Sequence, residues 1–217
     1  MDTMRKGQMF IIMAIIIVTV LVLLKTRMNL SEILMNKGTL ESDLSQLKLG
    51  NIVSEEKNNL QVNYLQNMSM MNNVVNFTNF VRSVESSNAE TLNSFIIGSY
   101  IANTTASTNT NINITVYNVM GMPVDANITF TYDNSVANFT NLPDASSTSQ
   151  NFTFSTASNA NYFLLVTYAT AAEIQTANIT LPVTIGNSKF IGFYDIRLAT
   201  NTGTYTSRFV QNITLSN

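Results

Sequence analysis

The sequence predicts an α+β protein in which two helices precede an antiparallel β-sandwich, and three observations carry that prediction. An apolar run from Met9 to Leu24 is broken only by Thr19. Apolar residues then recur at spacings of three and four as far as Val84, the period of a helix with one apolar stripe. From about Leu92 the period drops to two, as in strands that bury one face.

The first element is a long hydrophobic helix. Arg5 and Lys6 form a short basic head, Gly7 and Gln8 a junction, and the apolar run stops abruptly at Lys25 and Arg27. At 1.5 Å per residue its sixteen to eighteen residues cover roughly 24–27 Å, just short of the ~30 Å hydrocarbon core of a bilayer. Snorkelling of Lys25 and Arg27 would make up the difference. Three readings compete for the stretch. A cleaved secretory signal needs small residues after its core, and Lys25-Thr26-Arg27-Met28 stands there instead. A retained single-pass anchor is the second. The third places the cut between Gly7 and Gln8, so that the apolar helix stays on the mature chain. Positive charge on both sides leaves the orientation open.

The third arrangement resembles the class III signal peptide of archaeal type IV pilin-like proteins and archaellins. The matching residues are Arg5, Lys6, Gly7 and Gln8, followed directly by Met9, Phe10, Ile11 and Ile12. Many pilins carry a glutamate where Ile12 stands, although archaeal members often lack it. The resemblance implies that a prepilin-type leader peptidase removes residues 1–7. It further implies a helix, through Met9, Phe10, Ile11, Ile12, Ile15, Ile16, Leu21 and Leu24, that sits first in the membrane. That helix would then pack against copies of itself or other pilin-like subunits. The implied location is a single-pass membrane protein with an extracellular C-terminal domain, or an extracellular filament after assembly. The alternative is a monomeric, membrane-anchored surface adhesion protein.

Beyond the apolar run, Leu30, Ile33, Leu34, Leu40, Leu44 and Leu47 mark an amphipathic extension of the same helix. Gly38 weakens it by about 1 kcal/mol relative to alanine, and Leu49-Gly50-Asn51 reads as its stop. A second amphipathic helix is predicted from near Ser54 to Glu85, with Glu55 and Glu56 favourable at its positive end. Its face carries Leu60, Tyr64, Met68, Met71, Val74 or Val75, Val81 and Val84. The methionines Met68, Met70 and Met71 read as filler between helix and sheet. The expected division is therefore a leader at 1–7, the membrane or filament helix at 8–50, the second helix at 51–91 and a β-domain at 92–217.

In the β-domain, Phe95 to Ile97 with Tyr100 and Ile101 form the first strand, and Asn103 to Asn111 reads as a low-complexity loop. Ile112–Asn118 and Asn127–Tyr132 alternate cleanly, with Ile128, Phe130 and Tyr132 inward and a turn at Gly121–Val124 between them. Further strands are predicted at Phe152–Phe154, Tyr162–Tyr168, Ile179–Ile185, Phe190–Tyr194 and within Thr204–Leu215. Short alternating strands with polar turns argue for an antiparallel sandwich. The stretch from Ile114 to Thr131 resembles the immunoglobulin-like modules of prokaryotic surface proteins, which implies an immunoglobulin-like sandwich.

Ten N-x-S/T sequons are present, at Asn29, Asn67, Asn76, Asn103, Asn113, Asn127, Asn138, Asn151, Asn178 and Asn212. They have two origins. One is N-glycosylation of an extracellular surface. The other is the strand period itself, which places Asn and Thr on the wet face and the apolar residue between them on the dry one.

Composition narrows the chemistry. Charged residues are 11% of the chain, and no Lys or Arg lies between Arg82 and Lys189, so a nucleic-acid interface in that region is not expected. There is no Cys and no His, which removes a disulfide framework, the usual general base and the usual transition-metal ligands. Asp125, Asp133 and Asp144 lack the alternating spacing of a Ca²⁺ loop and read as turn residues. No metal, cofactor or catalytic residue is expected. A hydrolase would have to rely on such groups as Lys189, Asp195 and Glu173.

Overall fold

The structure, a computed structural model, describes residues 2–65, 70–102, 109–131, 135–154, 160–170 and 173–215. The chain divides into two compact units, Met1–Leu44 and Ser45–Asn217. Helix α1 covers Asp2–Leu65 and α2 covers Met70–Ser87. The strands among the described residues are β1 (Thr91–Ile101), β2 (Thr110–Val119), β3 (Val124–Phe130), β4 (Val136–Leu142), β5 (Ser146–Phe154), β6 (Ala160–Ala169), β7 (Ile174–Val183), β8 (Ser188–Thr200) and β9 (Gly203–Leu215). They form two antiparallel sheets, one ordered β5-β2-β1-β8-β9 and the other β4-β3-β6-β7. The α+β class and the sandwich-like pair of sheets agree with the sequence prediction.

Strand alternation builds two cores in the Ser45–Asn217 unit. Phe95, Ile97 and Ile101 of β1, Ile112, Ile114 and Val116 of β2, and Ile191 and Phe193 of β8 point between the sheets. There they meet Ile128 and Phe130 of β3 and Leu164 and Val166 of β6. The intervening residues Leu92, Ile96, Tyr117, Phe190, Tyr194 and Ile196 point the other way, against Leu49, Ile52 and Val53 of α1 and Val74 and Val81 of α2. Strands β1 and β8 are thus buried on both faces, which explains their nearly unbroken apolar runs.

The helices differ from the expectation in two respects. The predicted stop at Leu49-Gly50-Asn51 is no stop, because α1 continues through Gly50 to Leu65, and α2 begins at Met70 rather than near Ser54. Leu49, Ile52, Val53 and Glu56 share one helical face and are buried. Burying three aliphatic side chains at about 1.5–3 kcal/mol each outweighs the ~1 kcal/mol penalty of a glycine. The leucine stripe is the second difference: Leu30, Ile33, Leu34, Leu40, Leu44 and Leu47 are all exposed. Of the predicted α2 face, Val74 and Val81 are buried and Val84 is exposed, while the side chains of Leu60, Tyr64, Met68 and Met70 lie outside the description.

In the sheets, β4 has no counterpart among the strands predicted from the sequence, and β8 runs on past Tyr194 to Thr200. Strand β2 takes in Thr110 and Asn111 from the predicted loop, while 103–108 fall outside the described residues. Tyr132 and Asp133 also fall outside them.

Glycines 98 and 192 face each other across β1 and β8. A Cβ on Gly192 would lie 2.6 Å from the ring of Tyr194, which stacks on Phe209 with centroids 4.7 Å apart. At Gly98 the closest contact would be the Met71 sulfur at 2.8 Å, with the Phe190 ring next at 3.1 Å, so this methionine does fill the gap between helix and sheet. Gly192→Ala is expected to cost about 1–3 kcal/mol by overpacking. Gly98→Ala should cost less, because a thioether yields more readily than a stacked ring. Urea denaturation of the two variants checks the order, and equal losses would contradict this account.

Candidate functional site

Three features of the described surface and interior bear on function: an apolar helical surface, a polar strand surface and a buried ion cluster. In the first unit, Ile15–Leu24 lie on α1, and every large apolar side chain in the stretch is at least 50% exposed. These include the predicted residues Ile15, Ile16, Leu21 and Leu24. Thr19 and Thr26 return their hydroxyls to the carbonyls of Ile15 and Val22, each at 2.8 Å, so their polarity is largely absorbed by the helix. The backbone of Arg5, Lys6, Gly7, Gln8, Met9, Phe10, Ile11 and Ile12 is helical, and their side chains lie outside the description. Among the described residues no helix is long and apolar enough to cross a membrane.

The strand sequons follow the period-two rule. The middle residues Ile114, Ile128, Phe139, Phe152, Ile179 and Ile213 are all buried. The flanking Asn127, Asn138, Asn151, Asn178 and Asn212 are exposed, and Asn113 is half-buried. Four of these asparagines form cross-strand pairs. Asn113 stands opposite Asn151 and donates Nδ2 to its Oδ1 at 2.6 Å, and Asn127 stands opposite Asn138 and does the same at 2.7 Å. The sequon threonines Thr115 and Thr129 donate back to the same asparagines at 3.2 and 3.0 Å. Asn29 and Asn76 are exposed on α1 and α2, whereas Asn67 and Asn103 lie outside the described residues.

The ion cluster sits at one end of the space between the sheets. Asp195 is fully buried and accepts from the Tyr168 hydroxyl of the opposite sheet, from Arg197 Nη2 at 3.0 Å and from Arg208 Nε at 3.0 Å. Arg197 also pairs with Glu173, and Arg208 donates to Gln175. Burial first, then the neighbouring Asp195 carboxylate, holds the Tyr168 phenol above its ordinary range. The structure therefore joins Asp195 and Glu173 through one shared partner, the Arg197 guanidinium. Lys189 stays apart, donating to Thr184 Oγ1 at 2.7 Å. It lies six residues from Asp195 along β8, roughly 20 Å at 3.3 Å per residue. The carboxylates are committed to ion pairs and the lysine is remote, so these residues do not form a nucleophile–base pair. The signal for the cluster was present in sequence as Asp195 and Arg197 two apart, on the inward face of a strand.

Two of the aspartates singled out in the sequence do structural work. Asp125 Oδ1 accepts from the backbone N–H of Asn141 at 2.6 Å. Asp144 accepts from the Gly121 N–H at 2.8 Å and pairs with Arg82 at 2.8 Å, which fastens the turn where Gly121 has φ +76°. Among the described residues no cluster of acids is arranged to hold a metal ion. Lys48 bridges Glu85 and Glu90; burial acts to lower its pKa, but the two carboxylates outweigh it and raise the ammonium above its usual range. No protein-family model matches the chain, and no curated protein matches it either.

Proposed function

We propose that the protein is a non-enzymatic, pilin-like structural subunit of an archaeal cell-surface filament, held in the membrane by its N-terminal helix before assembly. One observation carries the reading: the large apolar side chains between Ile15 and Leu24 stand exposed around the whole helix. A surface of that kind is stable only against lipid or against other apolar helices. The sequence extends the same run back to Met9, immediately after the Arg5-Lys6-Gly7-Gln8 junction. The partners are then the membrane, a prepilin-type leader peptidase and further copies of the subunit or its pilin-like relatives, with no nucleic acid and no cofactor.

The β-domain fits an extracellular, immunoglobulin-like module. Its four-stranded order β4-β3-β6-β7 matches the C′-C-F-G order of that fold, and β5-β2-β1 matches E-B-A, with β8 and β9 added at the edge. Asn and Thr at the sequon positions keep much of the outer face of the four-stranded sheet hydrated without charge, which tolerates close packing of neighbouring subunits.

The test is the mature N-terminus, read by intact-mass and terminal-peptide mass spectrometry of protein from its native membrane. A chain that begins at Gln8 is expected. A chain that begins at Met1 would remove pilin-type processing and leave the single-pass anchored adhesion protein.

A further inference from the structure

The outer face of the four-stranded sheet holds an apolar patch with a sequon beside it. Val136, Thr129, Leu165 and Asn178 stand in one cross-strand row, and Phe163 stands opposite Thr180 in the next. Phe163 is 51% exposed, Val136 43% and Leu165 39%. Asn178 and Thr180 are the two polar residues of one sequon, both exposed and both on this face. Directly opposed side chains in an antiparallel pair lie about 4.5–5.5 Å apart, so a group on Asn178 Nδ2 reaches Leu165 and Phe163 without spanning a gap. Among the described residues the Asn178 amide makes no hydrogen bond. That separates it from Asn113, Asn127, Asn138 and Asn151, whose amides are joined in pairs. Two saccharides on directly opposed asparagines would also need the same space.

We propose that Asn178 is an N-glycan attachment site whose first sugars lie over Phe163 and Leu165, and that Asn113–Asn151 and Asn127–Asn138 each carry at most one glycan. The donor is a polyprenyl-phosphate-linked saccharide, and the catalyst a membrane oligosaccharyltransferase. The Asn178 Nδ2–anomeric carbon bond forms, the anomeric carbon–oxygen bond to the lipid phosphate breaks, the phosphate leaves with the electron pair and the amide gives up one proton. The apolar face of a pyranose covers an aromatic ring while its hydroxyls stay in water, so the patch becomes hydrated at its outer surface. This inference rests on the surface placement proposed above, because transfer takes place outside the cytoplasm.

Glycopeptide mass spectrometry of the protein from the cells that make it tests the proposal, with the N-terminus read in the same experiment. The expected result is a glycan on Asn178 in most chains and no chain with both members of a pair modified. A bare Asn178, or a doubly modified pair, overturns it. A bare Asn178 on a chain that begins at Gln8 overturns this inference alone, whereas a bare Asn178 on a chain that begins at Met1 overturns the filament reading as well. Asn178→Gln should lose one glycan mass and raise binding of a hydrophobic dye about twofold, with Phe163→Ser in the same chain abolishing the rise. Dye binding unchanged by Asn178→Gln would overturn the covering role.

Discussion

Asp195→Ala is expected to destabilise the β-domain by about 3–5 kcal/mol, the cost of breaking a buried ion pair from one side. The carboxylate has no exposure and serves three donors on three strands, Tyr168 on β6, Arg197 on β8 and Arg208 on β9. Its removal leaves the Arg197 guanidinium mostly buried with Glu173 as its remaining counter-charge, and the Tyr168 hydroxyl loses its acceptor. Tyr168→Phe removes only one neutral donor and keeps the ring stacked on Phe95 at 4.1 Å, so it should cost about 1 kcal/mol. Chemical denaturation of both variants provides the measurement. An Asp195→Ala loss no larger than that of Tyr168→Phe would mean that the cluster is not an energetic clamp between the sheets.

Glu56 yields the second large effect, and it depends on pH. This side chain is 2% exposed, in a narrow space lined by Ile52, Phe77, Val81, Leu92 and Ile196 together with Thr78 and Ser94, and its Oε1 has no hydrogen-bond partner among the described residues. Burial pushes its pKa from 4.5 to about 8. The neighbouring Tyr194 phenol, raised well above its usual value by burial and then by Glu56, stays neutral and offers the carboxylate no positive charge. The folded chain therefore keeps a proton that the unfolded chain releases near pH 4.5. The stability associated with the neutral acid is fully present below that pH and is lost as pH rises through about 8. At pH 7 the accumulated loss is on the order of 3 kcal/mol. Glu56→Gln, which cannot ionise, should erase this slope, so the variant gains on the wild type steadily between pH 5 and 8. Parallel stability curves for the two proteins would show that water reaches the carboxylate in the folded state.

Much of this architecture was legible in the sequence, for a local reason. The alternation in Ile112–Asn118 and Tyr162–Tyr168 records which face of each strand is dry, and both stretches lie within strands. Strand β4 was not legible, because Val136–Leu142 carries only three inward apolar residues, Ala137, Phe139 and Leu142, among Asn and Thr. It is recruited by pairing with β3. The helix boundary was misread for a related reason: Gly50 is a local stop signal, and only the sheet beneath Leu49, Ile52 and Val53 overrides it.

By itself, then, the sequence determined the α+β class, the apolar N-terminal run and the wet and dry faces of most strands, because each is written in residue spacings of two to four. Only the tertiary structure decided that sequon asparagines meet in pairs, that Asn178 stands alone beside Phe163 and Leu165, and that Asp195 gathers Tyr168, Arg197 and Arg208. Those outcomes depend on register between strands distant in the chain, such as Asn113 with Asn151, and no local periodicity encodes which distant residues will face each other.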